Sequence, residues 1–191
     1  LHDALPISGS PRRAVQLRAV REDLEVVPIR GNVETRIARA LRPSQEGRKL
    51  DAVVVAMAGL QRSGYLKTEA ENVRALPFDR FTPAAGQGAL AVEMLVDRDD
   101  LKHLVEAIND VSSMEALRAE REVLTDLGAD CHSCIGVHVR PETAIWRGLA
   151  MVGNSEGHLI RCESHAESAE AVGSLLCSRL REQGGIELLK S

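Results

Sequence analysis

Leu50-Asp51-Ala52-Val53-Val54-Val55-Ala56-Met57-Ala58 is the run on which the architecture turns. It is almost unbroken apolar sequence rich in valine. A strand covered on both faces has this composition, because neither face meets water. The run predicts a buried parallel strand. A parallel pair needs a crossover, normally a helix. The preceding residues supply one, since Val33, Ile37 and Leu41 fall on one face of a helix over Val33–Leu41, capped by Asn32. Leu24–Arg30 (LEVVPIR) reads as the strand before it, with Pro28 restricting it to an edge or an end. Strand, helix and strand make a βαβ unit, with Arg42–Lys49 as a polar loop. Upstream, Ser10 and Pro11 read as N-cap and first helical residue of a helix through Arg12–Arg21.

Downstream the pattern changes. Gly59–Leu66 reads as a short helix and turn, and Thr68–Phe81 as irregular or partly helical. The small-residue loop Pro83–Gly88 feeds a strand over Ala89–Met94. Arg98–Asp100 opens a helix with Leu101, Leu104, Val105 and Ile108 on one face. Ser112-Ser113-Met114-Glu115 has capping-box spacing and opens a second helix, which ends where Gly128 occupies the C′ position. Ile135–Arg140, Thr143–Val152 and His158–Glu163 predict three strands joined by turns. Ser168–Glu182 is a closing amphipathic helix ended by Gly184-Gly185. The expected fold class is α/β: residues 1–81 form an α/β unit, 82–97 a connecting strand, and 98–191 an α+β unit with a three-stranded antiparallel sheet.

Composition narrows the function classes. The chain has 191 residues, 44% of them hydrophobic but only 2% aromatic, so its core is aliphatic. The net charge of -4 and the scarcity of aromatics to stack bases argue against nucleic-acid binding. No run approaches the roughly 20 apolar residues of a membrane span. Four cysteines without a dense framework fit a reducing cytoplasm. The charge is uneven: residues 1–49 carry ten Arg and Lys against six Asp and Glu. The chain does not begin with Met, and Leu1–Ser8 (LHDALPIS) has no clear role. The expectation is a fragment whose first residues are not native.

Two groups of residues can carry chemistry. Arg12 and Arg13 lie in the first turn of a helix, where unpaired N–H groups and the dipole favour anions. Arg30 ends a strand, and Arg36 lies one turn into the next helix. Ligands of open α/β sheets bind beyond the carboxyl ends of the strands. The guanidinium fork matches carboxylates two bonds at a time. The set suits a ligand with several negative groups, although each arginine alone reads more readily as solvated surface charge. The second group is Cys131-His132-Ser133-Cys134, on a polar turn between helix and strand. Cys131-x-x-Cys134 is open to zinc, redox, structural and covalent-attachment readings. Cys162 and Cys177 look like small core residues, and no metal site is expected. Gly86-Gln87-Gly88 provides close backbone approach or a hinge.

Several motifs agree in order and spacing. Ser10-Pro11-Arg12-Arg13-x-x-Gln16-Leu17-Arg18, Arg30-Gly31-Asn32-Val33-x-Thr35-Arg36, Asp51-Ala52-x-x-x-Ala56-x-Ala58-Gly59-Leu60-x-Arg62-x-Gly64, Pro83-Ala84-x-Gly86-Gln87-Gly88-Ala89 and Cys131-x-x-x-Ile135-Gly136 together resemble porphobilinogen deaminase, also called hydroxymethylbilane synthase. The resemblance runs from about Ser8 to near the C-terminus. It implies a covalent dipyrromethane cofactor on Cys131, held by a thioether. It also implies an activity: four porphobilinogen units join this primer with loss of ammonia, and hydroxymethylbilane is released. Ser10, Arg12, Arg13, Arg30 and Arg36 match positions that bind carboxylates of cofactor or substrate; Gly59 and Gln87 match residues lining the cleft.

By the same resemblance, residues 1–81 are an incomplete periplasmic-binding-protein-like domain. Residues 82–97 are the return strand of the family's first domain, and 98–191 are its cysteine-bearing third domain. The catalytic aspartate belongs to the part upstream, so this chain alone is expected to be inactive. The implied partners are porphobilinogen and oligopyrrole intermediates, with neither nucleic acid nor membrane, and the implied full-length protein is a cytoplasmic monomer. Pro11, Asp130 and Cys134 depart from the family's usual Leu, Gly and Pro. A non-enzymatic polycarboxylate-binding module and a zinc-stapled interaction domain are the competing readings.

Overall fold

A computed structural model describes residues 6, 7, 9–41, 50–68, 70–130 and 132–191. Cys131, most of Leu1–Ser8 and the predicted loop Arg42–Lys49 lie outside the described residues. In chain order the elements are β1 (Pro6–Ile7), α1 (Pro11–Val20), α2 (Val33–Leu41), β2 (Ala52–Val53), α3 (Met57–Arg62) and α4 (Tyr65–Thr68). A 3-10 turn at Ala70–Asn72 follows, then α5 (Asp99–Ala107), α6 (Val111–Asp126), β3 (Ile135–Pro141), β4 (Trp146–Gly153), β5 (Leu159–Ala166), α7 (Ala169–Glu182) and α8 (Gly185–Lys190).

The three-stranded antiparallel sheet is present in the order β3-β4-β5, with Ile135 opposite Val152 and Trp146 opposite Ala166. The period of two sorts its residues. Val137, Val139, Ala150 and Val152 face α6 and α7 and join Val123, Val172, Leu176 and Leu180 in one aliphatic core. Gly148 lets α7 approach, because a Cβ there would stand 2.3 Å from the Val172 Cγ1. The other sheet face meets α1, where Val15 packs with Cys134 and Met151. That contact brings the start of α1 to the turn that carries Cys131.

The helix ends follow local hydrogen bonding. α6 begins two residues earlier than the capping-box spacing implies. Its cap is Asp110, whose Oδ1 accepts from the Ser113 N–H at 2.7 Å. A carboxylate at the true N-cap displaces the Ser112 hydroxyl, which itself donates to Asp110. The other end is the expected Schellman motif: the Gly128 N–H donates to the Thr125 carbonyl and the Ala129 N–H to the Leu124 carbonyl. Ser168 caps α7 through the Ala171 N–H. Gly184 ends α7 but also starts α8, which the sequence reading did not contain.

The first half departs more from expectation. Of the predicted strand Leu50–Ala58, only Ala52–Val53 pairs, and α3 begins at Met57. Its parallel partner is Pro6–Ile7, not the predicted Leu24–Arg30, of which Val27 alone makes a bridge. Pro28 lacks the N–H that a continuous ladder requires, which accounts for the broken strand. The predicted strand Ala89–Met94 forms no strand pairing among the described residues. A strand is defined by its ladder, so apolar alternation without a partner leaves an unassigned, exposed segment. Leu90 and Val96 are 76% and 97% exposed.

Candidate functional site

Arg12 and Gln16 stand four residues apart on α1 and share the face that carries Val15 inward. Both are buried. The Arg12 Nη1 donates to the Thr82 carbonyl at 2.6 Å, and the Gln16 Nε2 donates to the same oxygen at 3.1 Å. The Thr82 N–H returns a bond to the Gln16 Oε1 at 2.6 Å. These bonds fix the chain just before the Pro83–Gly88 loop against the start of α1.

Gln87 is the meeting point. Its Oε1 accepts from the Arg12 Nη2 and the Arg13 Nη2, each at 3.3 Å. The Arg13 Nη1 donates to the Val54 carbonyl at 3.0 Å, just beyond β2. The two guanidinium groups therefore converge at the carboxyl end of the short parallel pair, where ligands of such sheets bind. Among the described residues, their hydrogen-bond acceptors are neutral oxygens, with no carboxylate. Burial pulls the Arg12 pKa down to about 10, and Arg13 adds to the effect; the Cys134 sulfur acts oppositely. Burial and then Arg36 also lower Arg13. The arginines thus repel one another in a partly desolvated place, an arrangement that an anionic ligand relieves.

The other predicted positions are distributed around this pair. Ser10 is the N-cap residue of α1, with its carbonyl accepting from the Arg13 and Ala14 N–H groups and no side-chain cap bond. Arg36 is half-buried in the first turn of α2, and its Nε donates to the Gly31 carbonyl at 2.8 Å. Arg30 is exposed at the end of the 24–30 segment. Gly59 lies on α3, where a Cβ would sit 3.6 Å from the Val33 Cγ2. Gly59 and Arg30 are not among the side-chain contacts that join Arg12, Arg13 and Gln87.

The cysteine turn is ordered on both sides of Cys131. The Asp130 Oδ1 accepts from the His132 N–H at 2.9 Å and from the Ser133 N–H and hydroxyl at 2.8 Å each. The Ser133 hydroxyl and then the His132 amide hold the Asp130 carboxyl below its ordinary range. Asp130 braces the turn with its side chain, and no described non-glycine residue needs a positive φ. Cys134 is buried against α1, and burial pushes its thiol up to about 11, a neutral packing residue rather than a nucleophile. Cys162 and Cys177 are likewise raised, to about 11 and about 12, burial being the main cause.

Gln16, Thr82, Arg62 and Glu120 escaped the sequence reading as site residues. The Arg62 Nη2 donates to the Gly88 carbonyl at 2.7 Å. Glu120 is buried and accepts from the Gly86 N–H. A signal existed for Glu120: it stands on the Ala116, Ala119, Val123, Leu127 stripe, where a solvated acid does not belong.

Residues 3–103 match the family described as "Porphobilinogen deaminase, dipyromethane cofactor binding domain". The porphobilinogen deaminase of Roseiflexus sp. (strain RS-1) is 36% identical over 186 residues, covering 95% of this chain and 58% of the relative. That of Syntrophus aciditrophicus (strain SB) is 37% identical over 187 residues, with 96% and 58% coverage. That of Clostridium botulinum (strain Eklund 17B / Type B) is 44% identical over 133 residues, with 69% and 42% coverage. The chain thus spans 58% of the length of the first two relatives and 42% of the third, and Cys131 falls outside the family-matched residues. The match covers more than half of the chain, over the same residues that bring Arg12, Arg13 and Gln87 together, and the chain belongs to the porphobilinogen deaminase family.

Proposed function

We propose that the protein containing this chain is a porphobilinogen deaminase, or hydroxymethylbilane synthase. It joins four porphobilinogen units to a cysteine-bound primer with loss of ammonia and then releases hydroxymethylbilane. The observation that carries this reading is the Arg12–Gln87–Arg13 cluster, whose partly buried positive charge has only neutral hydrogen-bond acceptors among the described residues. Each pyrrole of the substrate bears an acetate and a propionate, so the growing product is a polyanion. The residues present fit such a group, because guanidinium forks take carboxylates two bonds at a time and lose their mutual repulsion in doing so.

When bound, the dipyrromethane supplies the pyrrole end on which the product is built. The chain's own residues bind and orient. Arg12 and Arg13 hold carboxylates at the start of α1, with Ser10 beside them, and Arg36 and Arg30 extend the positive field. Gln87 keeps the first two forks apart, and Gly59 lines the cleft. Cys131 is the tether, on a turn that Asp130 braces and the α1 contact brings towards the arginines. We further infer that residues 1–81 are an incomplete periplasmic-binding-protein-like domain, that 82–97 return to a preceding domain, and that 98–191 form the tether-bearing domain. The general acid/base carboxylate is assigned to a part of the relatives that this chain does not span, so the 191 residues alone make no hydroxymethylbilane.

The test is the intact mass of the protein produced at the full length of its relatives. An adduct of dipyrromethane size, absent in Cys131→Ser, supports the tether. An unmodified protein that still binds porphobilinogen points instead to a non-enzymatic binding module.

A further inference from the structure

The turn that carries Gln87 is held from behind by one buried carboxylate. Glu120 lies on α6 and is 5% exposed. Its Oε2 accepts from the Gly86 N–H at 2.5 Å, and its Oε1 accepts from the Val139 N–H of β3 at 2.8 Å. The His138 Nδ1 lies 3.5 Å from the same Oε1. Hydrogen bonds to an ionised acceptor are about twice as strong as neutral ones. A carboxylate sharing its two oxygens between two backbone amides is therefore a stiff bracket between the sheet and the turn. Gly86 is fitted to it: φ is +68°, and a Cβ would stand 2.8 Å from the Leu117 Cδ1 on the same helix.

Gln87 follows by one residue. The Nη1 of each arginine is already committed, Arg12 to Thr82 and Arg13 to Val54. The Gln87 Oε1 is the acceptor shared by the two remaining Nη2 groups. Where that oxygen sits decides how far apart the forks stand, and its place is inherited from Gly86. We infer that Glu120 is a positioning residue: by fixing the Gly86 turn it makes Gln87 hold Arg12 and Arg13 at one spacing for the carboxylates of a pyrrole ligand. This rests on the polycarboxylate reading above and adds to it a residue that does not itself touch the ligand.

The experiment is calorimetric titration of the 191-residue chain with porphobilinogen, comparing wild type, Arg12→Met, Glu120→Gln, Gln87→Ala and the Glu120→Gln/Gln87→Ala pair. Glutamine keeps the volume but turns an amide NH2 towards one of the two N–H donors. Glu120→Gln is expected to weaken binding about tenfold. Because it acts through Gln87, it should cost less than about twofold more once Gln87 is alanine. Unchanged affinity in Glu120→Gln overturns the inference, and so does a full second loss in the double variant. If wild type binds without regard to Arg12, the polycarboxylate reading fails and the inference falls with it. A spectroscopic signature separates positioning from general stabilisation. The Gly86 amide proton should lie far downfield in wild type and in Gln87→Ala, and move upfield in Glu120→Gln. Should Glu120→Gln not fold, the wild-type Gly86 amide decides: an ordinary shift with fast solvent exchange sinks the assignment.

Discussion

Residues 111–191 and residues 9–96 are held by different means. In the first region Val123, Val137, Val152, Val172, Leu176 and Leu180 have no exposed surface and touch in one cluster. In the second, Ile29, Ile37 and Leu60 are buried outside that cluster, Val15 packs with Cys134 and Met151 of the first region, and Leu90, Val92, Leu95 and Val96 face solvent. That apolar contact of Val15 ties the second region to the first, and around the site the ties are polar: Glu120 on Gly86, the Val137 N–H on the Pro83 carbonyl, and Arg161 on the Arg80 carbonyl, with Gln16 and Arg12 holding Thr82 beside them. The site lies on that polar seam. A seam of hydrogen bonds opens with less free energy than an aliphatic core, and binding elements are drawn from the less stable parts of a fold. The same seam supplies charged groups with incomplete partners, which a core cannot.

Leu176→Ala should break the comparison hardest. Truncating this buried leucine is expected to cost about 2–5 kcal/mol in urea unfolding, because a cavity opens beneath β4. A loss below about 1 kcal/mol would mean the C-terminal core does not carry the stability assigned to it.

The thiols report the same contrast through pH. At pH 8 the native Cys134 should alkylate about a hundredfold more slowly than a solvated thiol, since its pKa is raised from 9.0 to about 11. The linked stability has a definite sign. The unfolded chain releases this proton near 9 and the folded chain near 11, so the contribution is intact below pH 9 and lost between about 9 and 11. Rapid labelling of Cys134 in the folded chain would contradict its burial against α1.

Gln16→Leu attacks the seam. It leaves the Thr82 N–H buried without its partner, and the expected loss is about 1–3 kcal/mol with weaker porphobilinogen binding. Loss of stability without loss of affinity would separate the seam from the site. At the small end, Leu95→Ser should change stability by less than about 0.5 kcal/mol, because this side chain is 71% exposed. A larger loss would show that the 89–96 segment packs more closely than its exposure indicates.

The C-terminal sheet and its main helices were legible because periodicity and turn residues agreed there, although α6 starts on Asp110 rather than Ser112 and α8 was not expected. Ser168, Gly128 and the alternating Val137, Val139, Ala150 and Val152 all fell where local chemistry placed them. The N-terminal sheet was legible only as a class. A valine-rich run states that it is buried but not which strand pairs with it, and Pro28 removed the partner that sequence order suggested. The site was half legible. The arginine types and spacing marked Arg12, Arg13 and Arg36, but Gln16, Thr82 and Glu120 act through contacts 34 to 66 residues away in the chain, which no local pattern encodes. Cys131 lies outside the described residues, so its role rests on the ordered turn around it and on the family.

The most direct test of the central claim, a carboxylate-binding arginine pair on a polar seam, is the affinity of the 191-residue chain for porphobilinogen across single arginine replacements. Arg12→Met and Arg13→Met should each weaken binding about ten- to a hundredfold, the value of a hydrogen bond to a charged group. Arg181→Met, which loses only a partner of Asp126 on the far side of the core, should bind as wild type does. Equal affinity in all three variants, or a loss as large for Arg181 as for Arg12, would contradict the account.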